Sequence, residues 1–233
     1  MSRKKNRKYK CTDERIVVDG HVLYRIKALK SFGDINKGTL GGFIESHSNL
    51  SHKGECWVGY EAKVYGDSGV NENAYVGGTA TVIDSIITSN AFVANKVTVN
   101  SYIGQGAYIA GDAIVTKSNI RYATIVDYAQ LSNVHFAAPV NVKGNSIITS
   151  LEDYVIIKNW WSSGRYILWT KSNNMWSVGC FYGTAEQLLR RATGEQYEGY
   201  KQIIDFVETK VLKKKKSWRS LILSFMTQIK ENL

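Results

Sequence analysis

Four histidines are the side chains of this 233-residue chain best suited to proton transfer or metal binding: His21, His47, His52 and His135. An imidazole titrates near neutral pH, so any of them could accept a proton from a nucleophile. Their spacing does not place three of them around one ion, and no metal site is predicted. A histidine without a visible partner more often has a structural role. Only His135 and His52 are kept as candidate catalytic bases.

An aromatic cluster in the last third of the chain is a second candidate site. It contains Trp160, Trp161, Trp169 and Trp176 together with Arg165. Tryptophans that stack on bases, beside an arginine that binds phosphate, would suit single-stranded nucleic acid. The favoured alternative is that these large apolar side chains bury the seam between a β-helix and C-terminal helices. Trp160, Trp161 and Arg165 remain candidates for partner binding.

Positive charge is concentrated at the two ends of the chain. The net charge is +10, and residues 1–10 and 210–219 hold twelve of the 30 Lys and Arg residues and no acid. Such segments can bind nucleic acid or an anionic membrane, and solvated disordered ends have the same composition. The candidate residues for nucleic-acid or partner binding are Arg3, Lys4, Lys5, Arg7, Lys8, Lys213, Lys214, Lys215 and Lys216.

A valine at every sixth residue predicts the elements that must position these side chains. A chain that turns a corner every six residues needs one inward aliphatic and one small residue on each side, and this period is typical of a parallel β-helix. The pattern predicts a mainly β protein. Shorter steps at Ser85, Ser101, Ser118 and Ala123 indicate tighter corners. The first inward valines are Val58, Val64, Val70, Val76 and Val82, preceded at two positions by Cys56, Ala62, Ser68, Ala74 and Ala80.

Composition and turn signals divide the chain into four segments. Asp19-Gly20 between apolar runs indicates a type I′ hairpin turn, and Thr184 with Gln187 indicates a capping box at the start of a helix. The predicted segments are a basic disordered tail at 1–13, an N-terminal hairpin and cap at 14–48, the β-helix at 49–150, and a C-terminal hairpin plus helices with a basic amphipathic end at 151–233.

Cysteine usage and hydropathy indicate the compartment. Cys11, Cys56 and Cys180 form no close pair, which argues against a disulfide framework and a structural zinc site. No apolar run approaches the roughly 20 residues that span a bilayer, and no secretory signal is recognisable. A reducing, cytoplasmic location is expected.

Three stretches carry a resemblance to known families. Residues 57–67 resemble the hexapeptide-repeat proteins, which implies a left-handed parallel β-helix of three sides and a homotrimer. The preceding residues 24–58 resemble the cap of uncharacterised bacterial and prophage proteins, some of which are labelled transferases. Residues 179–184, with the tyrosine-bearing helix after them, resemble a short phage-type module. Many hexapeptide-repeat proteins are acyltransferases that bind coenzyme A between subunits and use a histidine as general base.

The preferred hypothesis is a non-catalytic binding or scaffold protein of phage or prophage type. It would need no cofactor and would inhibit or sequester a host factor in an anti-defence role, for example a host protein or nucleoprotein. One alternative is an acyltransferase that uses coenzyme A with His135 or His52; the projecting loop typical of such enzymes is absent. The other is a nucleic-acid-binding protein that acts through the basic termini. Membrane contact is less favoured.

Overall fold

The protein is a mainly β solenoid with antiparallel sheets at both ends, as described for residues 7–161 and 164–212 by a computed structural model. The predicted fold class is confirmed. The candidate residues Arg3, Lys4, Lys5 and Lys213 to Lys216, and the predicted basic amphipathic end, lie outside the described residues.

Three strands form the N-terminal cap: β1 (Tyr9–Val18), β2 (His21–Ala28) and β3 (Leu40–Ile44). β1 and β2 are an antiparallel hairpin, and β2 pairs antiparallel with β3. Asp19 and Gly20 have φ values of 50° and 85°, as a type I′ turn requires. Residues 9–13, predicted as part of a disordered tail, instead belong to β1, because Tyr9 buries its ring in the core over the first coil.

Short strands separated by corners make up the coils. They are β4 (Trp57–Val58), β5 (Lys63–Tyr65), β6 (Gly69–Val70), β7 (Tyr75–Val76), β8 (Thr81–Ile83), β9 (Ile86–Ile87), β10 (Phe92–Val93), β11 (Thr98–Gly104), β12 (Tyr108–Ile109), β13 (Ile114–Arg121), β14 (Thr124–Ile125), β15 (Gln130–Ser132), β16 (His135–Ala137), β17 (Asn141–Val142) and β18 (Ile147–Ile148).

Parallel pairing between successive coils gives the solenoid three faces. Face one contains β3, β5, β8, β15, β18 and the first halves of β11 and β13; face two contains β6, β9, β16 and the second halves of β11 and β13. Face three contains β4, β7, β10, β12, β14 and β17. The inward aliphatics stack in register, as in Val58 under Val76 and Val76 under Val93, and they are fully buried. Each coil is therefore stabilised mainly by its neighbours.

Buried serines form a hydrogen-bond ladder at the corner between faces one and two. The backbone N–H of Ser85, Ser101 and Ser118 donates to the hydroxyl of the serine one coil earlier, at 3.2, 2.8 and 3.0 Å. Asn49 begins the ladder by donating to the Ser68 carbonyl, and the Val134 N–H ends it on the Ser118 hydroxyl. Three of the four shortened steps in the sequence coincide with these corners, because a hydroxyl there replaces a backbone acceptor.

A C-terminal unit closes the far end of the solenoid. It contains β19 (Tyr154–Lys158), β20 (Tyr166–Thr170), β21 (Met175–Val178) and β22 (Phe181–Gly183), a 3₁₀ turn at Leu151–Asp153, helices α1 (Ala185–Arg191) and α2 (Glu195–Phe206), and a π-helical segment at Val207–Leu212. One face of its antiparallel sheet, with Leu168, packs on the solenoid core; the other, with Trp169 and Trp176, packs on the helices. No helix in the described ranges is long and apolar enough to cross a membrane.

Candidate functional site

A groove of about 680 Å³ lies along face three, in the coils nearest the N-terminal cap. Its size is within the range of small-molecule sites, about 300–1,000 Å³. The wall comes from outward-facing residues of face three, and one rim comes from the loop between β2 and β3. The lining residues are Gly33, Asp34, Ile35, Glu55, Trp57, Tyr60, Asn73, Tyr75, Gly78, Phe92, Ala94 and Asn95.

Aromatic rings are stacked from coil to coil on face three, and two of them, Tyr75 and Phe92, line this groove. The Tyr75 and Phe92 rings are 5.2 Å apart, and Phe92 and Tyr108 are 5.0 Å apart and nearly parallel. Strand register places these rings one above another, so they cover each other's faces and turn their edges outward. The wall is therefore rigid and apolar, and the polar groups at its rim must supply specificity.

The rim of the groove is acidic and polar. Asp34 and Glu55 supply carboxylates, and Asn73 and Asn95 supply amides that can donate or accept hydrogen bonds. No lysine or arginine is among the lining residues within the described ranges. Opposite charges attract strongly where one wall has a low dielectric constant, so the groove favours an ammonium group over a phosphate.

A histidine held by a carboxylate is the second feature suited to chemistry. Nδ1 of His21, at the start of β2, lies 2.9 Å from Oε1 of Glu45, which follows β3. An ionised carboxylate only accepts hydrogen bonds, so Nδ1 carries the proton and Nε2 is left as the basic nitrogen. The hydrogen bond to Glu45 raises the pKa of His21 above its ordinary value. Hydrogen bonds from His21 and the Gly66 amide lower the pKa of Glu45.

The surroundings of this pair are acidic and partly buried. The His21 ring packs at 5.0 Å on the ring of Tyr65, whose hydroxyl donates to Asp19 at 2.7 Å. Burial, with the bond to Asp19, raises the pKa of Tyr65 to about 12, so this hydroxyl stays protonated. Glu45 is bonded to Gly66 at the corner between faces one and two, which is the corner opposite face three. The pair and the groove therefore lie on different sides of one chain.

The two histidines proposed from the sequence lie elsewhere in the fold. His135 lies exposed in β16 on face two, opposite Asn119 of β13. His52 stacks on Tyr9 with ring centroids 4.3 Å apart, and its Nδ1 accepts a hydrogen bond from the Lys8 N–H. His47 lies beside them, 5.7 Å from the His52 ring. The expectation that the histidines lack partners is wrong for His21. Its partner is 24 residues away in the sequence, and no short motif joins the two.

The described basic residues of the N-terminal segment differ in solvent exposure. Arg7 is exposed, whereas Lys8 is 1% exposed and its ammonium donates to the Cys56 carbonyl at 2.7 Å and to the Gly54 carbonyl. Nζ also lies 3.3 Å from the Cys56 sulfur, and burial lowers the pKa of Lys8. Lys8 is therefore not available to phosphate, since β1 turns it inward.

The tryptophans of the predicted aromatic site lie in different environments, some buried and some exposed. Trp169 and Trp176 are buried between the C-terminal sheet and its own helices, and the seam with the solenoid is formed around Leu168 instead. Trp160 is 69% exposed, and Trp161 packs edge-on against Tyr200 of α2. Arg165 is exposed at the start of β20. No described group of three or more His, Cys, Asp or Glu residues could hold a metal ion.

The stacked coils, with one inward aliphatic and one small residue per side, fit a hexapeptide-repeat β-helix. No family model matches the chain. The chain is 31% identical over 110 residues to a curated protein of Escherichia coli strain K12 described as "Uncharacterized acetyltransferase YdcK". The match spans 43% of this chain and 32% of that relative, so this chain covers about a third of the relative's length.

This similarity corrects the preferred functional prediction. A non-catalytic phage or prophage protein that inhibits a host factor is wrong as the main hypothesis, because the similarity is to an acetyltransferase. The acyltransferase alternative is the better supported one. The phage-type C-terminal module has no support from the comparisons. Trimer formation, a cytoplasmic location and nucleic-acid binding through the basic ends stay predictions.

Proposed function

We propose that this protein transfers an acyl group from a thioester donor to a small amine. The observation that carries the proposal is the 31% identity, over 110 residues, to a protein described as an uncharacterized acetyltransferase. In the reaction, an amine bound as ammonium first loses one proton to solvent, and the neutral nitrogen then attacks the thioester carbonyl. The carbon–sulfur bond breaks and the sulfur leaves as a thiolate. The nitrogen gives up a second proton to a base, which passes it to the thiolate so that a thiol is released. A carboxylate-held histidine is well suited to that role, because the carboxylate stabilises the imidazolium that forms.

The acidic groove on face three is the proposed acceptor site. Asp34 and Glu55 would attract the ammonium form of the amine, while the aromatic wall would contact its carbon skeleton. An acyl-coenzyme A donor carries several phosphates, and among the described residues no lysine or arginine lines the groove to neutralise them. The donor's nucleotide therefore fits outside this groove, and only its acyl end would need to reach the amine.

His21 is the proposed general base, with Glu45 as its positioning residue. Since the pair lies at the corner away from face three, one chain alone would not bring base and acceptor together. We propose that a second copy supplies the His21 corner to the groove. This requirement agrees with the predicted homo-oligomer, most simply the trimer that the family resemblance implies.

Thiol release from acetyl-coenzyme A, measured with a panel of small amines and matched alcohols, would test the activity. Glu55→Gln should raise KM for the amine, and His21→Gln should lower kcat by about a hundredfold or more. His135→Ala is the matched control and should retain activity. Release that no amine stimulates, together with an unchanged melting temperature in acetyl-coenzyme A, would contradict acyl transfer.

Mixed oligomers would test the shared site. His21→Gln and Glu55→Gln chains, unfolded and refolded together, should recover part of the activity, because some interfaces then combine an intact base with an intact groove. Each variant refolded alone is the control. Activity in the mixture no higher than the average of the two variants would show that both residues act within one chain, or not at all.

A further inference from the structure

A second cavity of about 350 Å³ lies in the C-terminal unit, between its sheet and helices α1 and α2. It is far along the chain from the groove on face three and shares no lining residue with it. Its lining residues are Arg165, Val178, Phe181, Leu188, Arg191, Ala192, Gln196 and Tyr200.

Two arginines line this cavity, Arg165 and Arg191. Arg191 lies over the Phe181 ring at 5.4 Å, and the charge of Arg165 acts on the hydroxyl of Tyr200. Neither guanidinium forms an ion pair within the described residues, and no acidic residue lines the cavity there. Arg190, by contrast, is paired with Glu186 on the outer side of α1. The cavity therefore concentrates positive charge that the described part of the fold does not neutralise.

The remaining lining residues define the shape of a ligand. Val178, Phe181 and Leu188 give an apolar floor, continuous with the core of the C-terminal unit. Gln196 and Tyr200 can each donate a hydrogen bond. Guanidinium groups match the planar oxygens of carboxylates and phosphates in two-point contacts. A cavity of this size with an apolar floor and a few convergent polar groups is typical of a small-molecule site.

We propose that this cavity binds a small organic anion whose carboxylate or phosphate lies between Arg165 and Arg191 and whose apolar body rests on Phe181 and Leu188. This site is independent of acyl transfer, since it shares no residue with the proposed acceptor groove or with the His21–Glu45 pair.

Isothermal titration calorimetry of the whole chain with phenyl phosphate, benzoate and benzyl alcohol tests the proposal. At least one of the two anions should bind, and the tighter one identifies the head group. Benzyl alcohol, which keeps the ring without the charge, should bind at least about tenfold more weakly. Arg165→Gln and Arg191→Gln should each weaken anion binding by about tenfold or more, because each removes a charged hydrogen-bond donor.

Control measurements test whether the loss of binding is specific to the two arginines. Lys201→Gln removes a positive charge from α2 beside Tyr200, outside the cavity lining, and should bind the anion as the wild type does. Circular dichroism and melting temperature should show that each variant is folded. The proposal fails if both anions show no binding at millimolar concentration, if benzyl alcohol binds as tightly, or if both arginine variants bind normally. Competition by a single-stranded oligonucleotide that binds far more tightly than either small anion would overturn it in favour of a nucleic-acid site.

Discussion

The serine ladder gives a buried hydroxyl a measurable role at the residue scale. Ser101→Ala would leave the Ser118 N–H without its acceptor inside the corner. An unpaired buried donor costs about 1–3 kcal/mol, so the free energy of unfolding should fall by that amount. Urea denaturation would measure it. Ser48→Ala, at an exposed position of the cap, should change the free energy by less than about 0.5 kcal/mol. If the two substitutions lowered the free energy of unfolding equally, the serine ladder would not contribute to the stability of the coils.

The His21–Glu45 pair predicts a defined pH window. The pKa of His21 is raised above 6.5, so its contribution to stability is fully present below about pH 6.5 and is lost as pH rises through the folded-state pKa. The pKa of Glu45 is lowered below 4.5, so its contribution is present above about pH 4.5 and is lost as pH falls through the folded-state value. The pair should therefore stabilise the cap most between about pH 4.5 and 6.5.

An NMR titration of the His21 ring would check this window. Glu45→Gln should lower the pKa of His21, because the hydrogen bond to the carboxylate is its largest cause. Glu14→Gln removes another carboxylate of the cap, one that pairs with Arg25, and should leave the His21 titration unchanged. If both variants shifted the His21 titration equally, general electrostatics of the cap, and not this contact, would control it.

Single residues were the least predictable part of the candidate site. Lys8 belongs to a run of charges that is typical of a solvated tail. Instead, it lies directly before β1, and its side chain is buried beside Cys56. His21 and Glu45 meet only after β2 has paired with β3. Both outcomes depend on which face of a strand a side chain occupies, and a register shift of one residue reverses that face.

At the scale of elements, the aromatic stack on face three should stabilise its strands. Phe92→Ala removes ring contacts with both Tyr75 and Tyr108. Each aromatic pair contributes about 0.5–1.5 kcal/mol beyond burial, so the loss should reach about 1–3 kcal/mol. Denaturant unfolding would measure it. Tyr128→Ala, at a 65% exposed corner position, is the control and should be near neutral. A loss no larger than that of the control would mean that the stack only lines the groove.

The strands of the repeat were predictable, because each coil must bury the same kinds of side chain at equivalent positions. One inward aliphatic per side specifies a corner every six residues, and the inward valines are all buried. The capping box was predictable for the same local reason, since Thr184 and Gln187 bond to each other's backbone three residues apart. The groove was not predictable, because its rim combines a β2–β3 loop with corners of several coils.

At the scale of the whole molecule, Leu168 joins the C-terminal unit to the solenoid. Its side chain packs in the solenoid core, together with partly buried Tyr154 and Ile156, while the next residue faces the helices. Leu168→Ala should lower the free energy of unfolding by about 2–5 kcal/mol through the cavity it leaves. Leu151→Ala, exposed in the 3₁₀ turn, is the matched control. Differential scanning calorimetry should show a lower melting temperature only for the Leu168 variant. If both variants had the same melting temperature, Leu168 would not be the residue that joins the C-terminal unit to the solenoid.

The hairpin at the N-terminal end also limits the stacking of further chains onto the solenoid. Stacked parallel coils form a one-dimensional lattice, in which an open strand edge can serve as a template for another chain. Within the described residues, β1 pairs only with β2, and their register is interrupted between Cys11 and Arg15. Asp13, Glu14 and Arg15 stand exposed at that interruption. An irregular, charged edge is a poor template, so this end of the solenoid disfavours the addition of another chain.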